Sequence, residues 1–305
     1  MAAENNSLKS IILALFANSG IAVAKYIAAF FTGSGSMLAE AIHSTADCGN
    51  QLLLILGLRR TRKEPDEAHP LGYGKAIYFW SFIVALMLFS IGGMFSIYEG
   101  IHKIAEPSEL RLPYLAIGIL ALSIVLESIA LFGALGQIKK EKDYTTLFKW
   151  FRSTRKSEFI VILGEDMAAV LGLVFALLAI IATHITGNPV FDAIGSIFIG
   201  VILIVVATFI GIEVKSLMVG ESADAATRNE IKNFIESQDN VDLVFNMITL
   251  QLGPDVMLAV KLKLNQNLSS ADMVKTINII EKKVKSEFSG IRFSFFEPDL
   301  TDGAD

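Results

Sequence analysis

A histidine and an aspartate four residues apart give the strongest chemical signal in this sequence. His43 and Asp47 lie in a predicted helix, where residues four apart share one face about one turn from each other. An imidazole nitrogen and a carboxylate oxygen at this spacing can bind one divalent cation, and they suit zinc while tolerating manganese, iron or cobalt. From the two residues alone, a hydrogen-bonded pair that orients two helices is an equally good interpretation.

Two adjacent carboxylates form a second candidate group. Glu165 and Asp166 lie near the start of another apolar helix, and an ionised side chain inside hydrocarbon costs about 2.5–3.5 kcal/mol on insertion scales. At least one of them is expected to face other helices, unless both lie at the membrane interface and reach water. Packing of this helix against the helix of His43 and Asp47 would bring Asp166 to that pair. Glu165 would then be a fourth ligand or a proton-carrying neighbour.

The elements that must position these residues are membrane helices. Of the 305 residues, 53% are hydrophobic and 19% are charged, against about 45–50% and about 25% in soluble domains. Six apolar stretches are long enough to cross a hydrocarbon core of roughly 30 Å as helices. They cover about residues 8–32, 35–58, 76–98, 113–137, 158–183 and 189–211. The sequence therefore predicts an α-helical membrane protein with six transmembrane helices in a domain of residues 1–212.

Lysine and arginine in the connecting loops predict the orientation of these spans. The loops at 59–75 and 139–156 contain five and seven such residues, whereas the loops on the other side contain only Lys103 and Arg111. Both termini are therefore expected in the cytoplasm. The first span continues directly into the second, which favours an anchor over a cleaved signal peptide. Without a presequence, a bacterial inner membrane is the expected location.

The pattern after residue 212 is that of a small water-soluble α+β domain, residues 213–305. The predicted elements are a helix at 222–237, strands at 248–252 and 256–264, a helix that Ser269 and Ser270 can cap, and a strand around Phe293 and Phe295. The order α-β-β-α-β is that of a ferredoxin-like fold, which we expect on the cytoplasmic side. All four histidines precede this domain.

Composition also excludes several classes of function. A formal net charge of −5 gives no support for nucleic-acid binding. The single cysteine, Cys48, can form neither an internal disulfide nor a clustered thiolate metal site. A membrane-embedded metal hydrolase could use the same side chains to activate water, but the sequence has no H-E-x-x-H motif. A non-transporting membrane scaffold is the other alternative.

The segments around the candidate residues resemble the cation diffusion facilitator family. The similarity begins at Asn18-Ser19, includes the run GSGSMLAEAIHSTAD at 33–47, and continues in the loop segment HPLGYGK at 69–75. The Glu165-Asp166 pair resembles the residues at this position in the branch of the family that contains zinc transporter nine. The resemblance implies a homodimer in the lipid bilayer that exports a divalent cation, usually zinc, in exchange for protons. It implies that the domain of residues 213–305, which has no histidine, serves dimerisation rather than histidine-based zinc binding. It also implies alternating access to a site between the second and fifth spans.

The resemblance implies a ligand set as well. His43, Asp47 and Asp166 match the family's ligand positions, whereas Ile162 stands where the fifth span usually has another ligand. Glu165 could compensate for this loss. The site would then be harder than a two-histidine zinc site, so manganese, iron and cobalt are alternatives to zinc. The cation is the substrate, and neither a resident cofactor nor catalytic residues are expected.

Other polar positions have weaker interpretations. Asp66 and His69 match two of the three ligands of a loop metal site found in some members, but Tyr73 is the third residue, and a structural turn is the alternative.

Four further ionisable groups lie within the predicted spans. Lys25 is expected to pair with Glu40 or Asp192, or to reach the membrane surface. Glu127 is expected either to carry protons or to form a structural hydrogen bond. Asn18 and Asn50 are expected to line the path or to bond across helices.

Overall fold

The computed structural model describes residues 2–107, 109–139 and 146–301, so Lys140 and Lys142 of the positive loop lie outside the described residues. The first eight helices are α1 (Ala2–Thr32), α2 (Gly35–Thr61), α3 (Ala76–Met87), α4 (Phe95–Ala105), α5 (Pro113–Ile138), α6 (Leu147–Ser153), α7 (Ser157–Thr186) and α8 (Val190–Val219). A π-helical segment, Leu88–Met94, joins α3 to α4. The remaining elements are α9 (Ala225–Glu236), β1 (Val241–Leu252), β2 (Asp255–Leu264), α10 (Ser270–Glu287) and β3 (Ile291–Pro298).

The chain forms two compact units. The first contains α1, α2 as far as Gly57, the chain from Trp80 through α5, and most of α7 and α8. The second contains Leu58–Phe79, the segment around α6, and the chain from Lys215 onwards.

Four helical stretches of the described residues are long and apolar enough to cross a membrane. They are Ala76–Ala105, Pro113–Gly136, Ser157–Thr186 and Val190–Val219. These stretches confirm the third to sixth predicted spans. The second predicted span, α2, is 27 residues long, but Glu40, His43 and Asp47 lower its mean hydropathy. Crossing of the membrane by α1 and α2 stays a prediction.

The short turn between α1 and α2 is held by Asp192, the third residue of α8. Asp192 Oδ1 accepts hydrogen bonds from the Ser34 hydroxyl at 2.7 Å and from the Ser36 N–H at 3.3 Å, and Oδ2 accepts one from the Gly35 N–H at 2.6 Å. The Ser36 hydroxyl donates to the same carboxylate. Asp192 therefore caps the first turn of α2 from another helix, where a negative charge is favoured. The predicted alternative pairing of Asp192 with Lys25 is wrong, because this turn uses the carboxylate.

Other contacts gather helix termini at the same end of the first unit. The Arg111 N–H, just before α5, donates to the Thr32 carbonyl at 2.8 Å. The Lys103 ammonium at the end of α4 donates to the Gly33 carbonyl. The end formed by the last residues of α1 and α4 and the first residues of α2, α5 and α8 is named the turn end below.

Glycines allow α8 to pack closely against the α3–α4 stretch. A Cβ built at Gly200 would lie 2.6 Å from the Gly93 carbonyl oxygen and 2.8 Å from the Ile97 nitrogen. Both are backbone atoms, which cannot rotate away as a flexible side chain could. Small residues at such crossings allow helix backbones to make close van der Waals contact in membranes.

Substitution of Gly200 should therefore destabilise the first unit. We expect Gly200→Ala to lower the free energy of unfolding by about 1–3 kcal/mol, as overpacking of a dense contact does. Gly211→Ala on the same helix is the matched control, since no heavy atom lies within 4 Å of a Cβ there. Thermal unfolding in detergent checks both variants, and equal midpoints would contradict the packing described.

The second unit contains a three-stranded sheet of order β1-β2-β3. β1 pairs antiparallel with β2, and β2 pairs parallel with β3, with α10 as the connection that a parallel pair requires. Alternate residues of β2 are buried, from Val256 to Leu264, against Ile231 and Ile235 of α9 and Ile280 of α10. The observed order from α9 to β3 is α-β-β-α-β, although β1 begins at Val241 rather than at 248. A ferredoxin-like fold stays a prediction.

Candidate functional site

Helices α1, α2, α5 and α7 enclose a small polar cavity, named the chamber below. Its volume is about 30 Å³, which exceeds the roughly 10–15 Å³ that one water molecule needs. From α2, Ser44, Asp47 and Gln51 reach it because a spacing of three and four residues places them on one helix face. The other lining residues are Asn18, Ile21, Glu127, Glu165, Asp166 and Ala169.

Four carboxylates line the chamber. Asp47, Glu165 and Asp166 were predicted as metal ligands, and the structure places all three on its wall. Glu127 of α5 joins them, although sequence reasoning gave it only a proton-carrying or structural role. Among residues 2–107, 109–139 and 146–301, no three histidine, cysteine, aspartate or glutamate side chains are close enough together to hold one metal ion. The carboxylates therefore surround a common space without forming a coordination sphere.

His43 lies behind Asp47 rather than on the chamber wall. Its side chain is 1% exposed, and Nδ1 lies 3.5 Å from Asp47 Oδ1. The ring also faces the π-helical segment, since a Cβ at Gly92 would lie 4.0 Å from Nδ1. Neither ring nitrogen has a hydrogen-bond partner within the described part of the chain. A buried imidazole in this state can orient Asp47 or bind a cation after a side-chain movement.

Amide side chains of α2 complete the polar surface. The buried Asn50 amide donates to Glu165 Oε1, so the predicted bond between helices is present. Sequence reasoning missed Gln51, whose position four residues after Asp47 was the available signal. Asn50 Oδ1 and Gln51 Oε1 are buried, and no donor among the described residues reaches either oxygen. Buried oxygens of this kind are suited to a ligand that is itself polar or charged.

A larger cavity, named the vestibule, adjoins the chamber. It has a volume of about 420 Å³ and shares Asn18, Ile21, Gln51, Glu127 and Asp166 with the chamber wall. From these residues it continues along the last third of α5, at 133–134, and the first turns of α7, at 159–162. It therefore extends away from the turn end. Ile162, at the position where the family usually has a further ligand, lines the vestibule with an apolar side chain.

A buried ion pair joins α1 to α2. The Lys25 ammonium donates to Glu40 Oε2 at 3.1 Å and to the Ser44 hydroxyl at 2.7 Å. The two charged side chains are 1% and 0% exposed. Of the two acids predicted as partners of Lys25, Glu40 is the one that it contacts.

The loop after α2 contains a polar cluster in the second unit. Asp66 accepts hydrogen bonds from the Tyr73 hydroxyl at 2.6 Å, the Lys63 ammonium at 2.9 Å and the His69 N–H at 2.8 Å. The Tyr73 hydrogen bond, followed by that from Lys63, lowers the pKa of Asp66 below its ordinary value. Lys63 thus supplies the positive charge that a cation would supply. A metal site at Asp66 and His69 stays a prediction, and these contacts favour the structural turn.

Removal of the tyrosine hydroxyl should raise the pKa of Asp66. In Tyr73→Phe we expect it to approach the ordinary value of about 3.9, since the largest cause of the lowering is lost. A lowered pKa stabilises the folded loop above the ordinary pKa, and this contribution disappears as the pH falls through the folded-state value. Carbon-13 NMR titration of the aspartate carboxyls checks this, with Tyr98→Phe as control. An unchanged Asp66 pKa would exclude Tyr73 as the cause.

Comparison with known proteins identifies a family. The family model for the cation efflux transmembrane domain matches residues 11–219. The chain is 33% identical over 247 residues to the proton-coupled zinc antiporter SLC30A9, mitochondrial, of Mus musculus, covering 80% of this chain and 44% of that protein. It is 29% identical over 253 residues to metal tolerance protein C4 of Arabidopsis thaliana, covering 82% and 55%.

A bacterial relative is matched over most of its length. The cation-efflux pump FieF of Salmonella paratyphi A is 22% identical over 275 residues, covering 89% of this chain and 86% of that protein. By contrast, the chain spans about half the length of the mouse and Arabidopsis relatives.

The matched region contains the parts of α1, α2, α5 and α7 that form the chamber. The similarity to SLC30A9 also agrees with the Glu165-Asp166 pair, which resembles that branch of the family. The chain is therefore a multi-pass integral membrane protein of the cation efflux family, the cation diffusion facilitators, whose members are transporters rather than enzymes.

Proposed function

We propose that this protein exports a divalent metal cation across a membrane in exchange for protons. The observation that carries the proposal is the chamber, where four carboxylates from three helices line one small space inside a membrane domain. Ionisable residues are costly in such surroundings and most often mark an ion or proton pathway. The names of two relatives, a proton-coupled zinc antiporter and a cation-efflux pump, support the same function.

The chemistry of the chamber residues accounts for the exchange. A cation requires ionised carboxylates and a neutral imidazole, so protons compete with it for the same side chains. Asp47, Asp166 and Glu165 are the proposed ligands, with His43 joining them or orienting Asp47. Binding on one side releases protons, and protonation on the other side releases the cation. Rocking of the helices around this site provides the alternating access.

Zinc is the proposed substrate, with manganese, iron and cobalt as the alternatives. The chamber offers oxygen ligands in excess, which admits the harder ions, whereas the neighbouring imidazole favours zinc or cobalt. Relative affinity therefore depends on whether His43 enters the coordination sphere.

The remaining features of the proposal concern assembly and location. We propose six spans formed by the first 212 residues and a cytoplasmic domain of residues 213–305 that joins two copies into a homodimer. Both termini then lie in the cytoplasm. The lysine and arginine residues of the loops at 59–75 and 139–156 support this orientation. A bacterial inner membrane is the proposed location.

A calorimetric titration of the purified protein tests ligands and ion identity together. We expect Zn²⁺ to bind more tightly than Mn²⁺, Fe²⁺ or Co²⁺, and His43→Ala to reduce this preference. Thr45→Val is the control, since Thr45 is exposed on the same helix. Equal binding of all four ions by wild type would contradict a zinc-selective site.

Competition between protons and the cation predicts that binding depends on pH, which the same titration measures. Each proton displaced by the cation lowers the apparent association constant by about tenfold per unit fall in pH, where the ligands are protonated. We therefore expect zinc binding to weaken from pH 8 to pH 6. We also expect the observed binding enthalpy to vary linearly with the ionisation enthalpy of the buffer, with a slope equal to the number of protons released. Constant affinity across this range would contradict proton competition.

A further inference from the structure

The Lys25–Glu40 pair lies beyond the chamber on the side of the turn end. Glu40 precedes Asp47 by seven residues, which is two helical turns and about 10 Å along α2 on the same face. On α7, Gly172 follows Glu165 by seven residues, and a Cβ at Gly172 would lie 2.7 Å from Glu40 Oε1. The pair therefore lies where α1, α2 and α7 meet, one layer from the chamber.

The two sides of the chamber differ in access. On one side the vestibule continues from Asp166 and Glu127 towards the first turns of α7. On the other side the ammonium of Lys25, the carboxylate of Glu40 and the hydroxyl of Ser44 are in contact and buried. A cation in the chamber thus has an open route in one direction and a polar, closed layer in the other.

Stability alone does not account for this buried pair. Removing two charges from water costs about as much as their attraction returns, so a hydrophobic pair would serve equally well as a structural contact. Glu40 Oε1 adds to the cost, because it is buried and no donor in the described ranges reaches it. A carboxylate with one oxygen on an ammonium and one oxygen free is equipped to accept a cation.

Resting on the proposed transport function, we propose that Glu40 is the next cation-binding position beyond the chamber, and that Lys25 occupies it while this side is closed. Helix movement that separates the pair frees the carboxylate, which then receives the divalent cation from the chamber. A cation in the chamber repels the Lys25 ammonium across the single intervening layer. Loading of the chamber therefore favours opening of this side, and Lys25 returns to Glu40 once the cation has left.

The test measures Zn²⁺ binding and Zn²⁺ flux on the same protein. The variant Lys25→Met/Glu40→Gln removes both charges at once, so it leaves no unpaired buried charge. It replaces no residue of the chamber wall, where only the Ser44 hydroxyl loses a hydrogen-bond donor. We expect the Kd for Zn²⁺ to stay within about threefold of wild type, while flux into proteoliposomes falls at least about tenfold, an effect within the range for groups that support a metal site. Thr45→Val again provides the matched control.

A second variant tests the proposal if the first does not fold. Lys25→Glu/Glu40→Lys keeps an ion pair between α1 and α2 but removes the carboxylate from position 40. The proposal predicts a similar loss of flux, whereas a purely structural pair predicts flux near wild type. Flux within twofold of wild type in either folded variant would overturn the proposal. Wild-type protein that neither binds nor moves Zn²⁺ would instead contradict the proposed function itself, and this inference with it.

Discussion

Asp47→Asn and Asp166→Asn should each abolish cation transport while leaving the protein folded. Both side chains line the chamber, and the amide keeps their size but cannot supply an anionic ligand. We expect zinc flux into proteoliposomes to fall by more than about 100-fold, above the usual loss for groups that only support a metal ligand. The loss should appear in binding as well as in flux, which distinguishes these residues from Glu40.

One control lies on α2, the helix of Asp47, and the other lies on α8, which does not line the chamber. Thr45→Val changes an exposed residue of α2 and should transport as wild type does. Gly211→Ala on α8 adds a methyl group in open space and should also be neutral. If both aspartate variants retained transport, the chamber could not be the transport site.

Asp192→Ala should cause a larger loss of stability than Gly200→Ala. The carboxylate accepts hydrogen bonds from Ser34, Gly35 and Ser36 at the start of α2. Without the carboxylate, these buried donors have lost their acceptor. Removal of one partner from a buried charged network costs about 3–5 kcal/mol. Reversible unfolding in mixed micelles measures the change.

The conservative variant separates the charge from the hydrogen bonds. Asp192→Asn keeps one oxygen acceptor but loses the negative charge at the first turn of α2, and we expect a loss of about 1–2 kcal/mol. The order wild type, Asn, Ala is the expected order of stability. An alanine variant as stable as wild type would show that water replaces the carboxylate and that Asp192 does not hold this turn.

The positions of the chamber residues were predictable where one helix carries them. Asp47 lies four residues after His43 on α2, and Glu165 and Asp166 are adjacent on α7. Both are local properties, because a helix fixes the relative directions of its own side chains. His43 shows the limit of this argument. Its spacing places it on the face of Asp47, and its Nδ1 lies 3.5 Å from Asp47 Oδ1, yet the ring does not line the chamber.

Features that depend on contacts between helices were less predictable. Glu127 is a single acid in an apolar helix, so its sequence neighbourhood contains no information about which helix it faces. Lys25 had two acids as candidate partners, and only the packing of α1 on α2 selects Glu40. Asp192 accepts hydrogen bonds from backbone N–H groups at the start of α2. Because every residue type except proline has such a group, the sequence pattern does not indicate this contact.

The second unit shows the same contrast. The alternation along β2 predicted its buried face. Of the two serines predicted as caps of α10, Ser269 is the cap, and its hydroxyl accepts a hydrogen bond from the Asp272 N–H. The first half of β1 was missed because its apolar residues, at 241, 243, 245 and 247, alternate in the opposite phase to Ile248, Leu250 and Leu252. Irregularities in the pairing, between Val241 and Leu243 and between Val244 and Asn246, accompany this change of phase. Pairing with β2 extends the strand to Val241 regardless of this local pattern.

Simultaneous recording of zinc and proton movement tests the central claim most directly. The wild-type protein is reconstituted into liposomes that enclose one fluorescent indicator for Zn²⁺ and another for pH. We predict that Zn²⁺ entry is accompanied by alkalinisation of the interior as protons leave, and that an outward proton gradient accelerates entry. Zn²⁺ entry without proton movement, or no entry by folded protein under any gradient, would contradict the account.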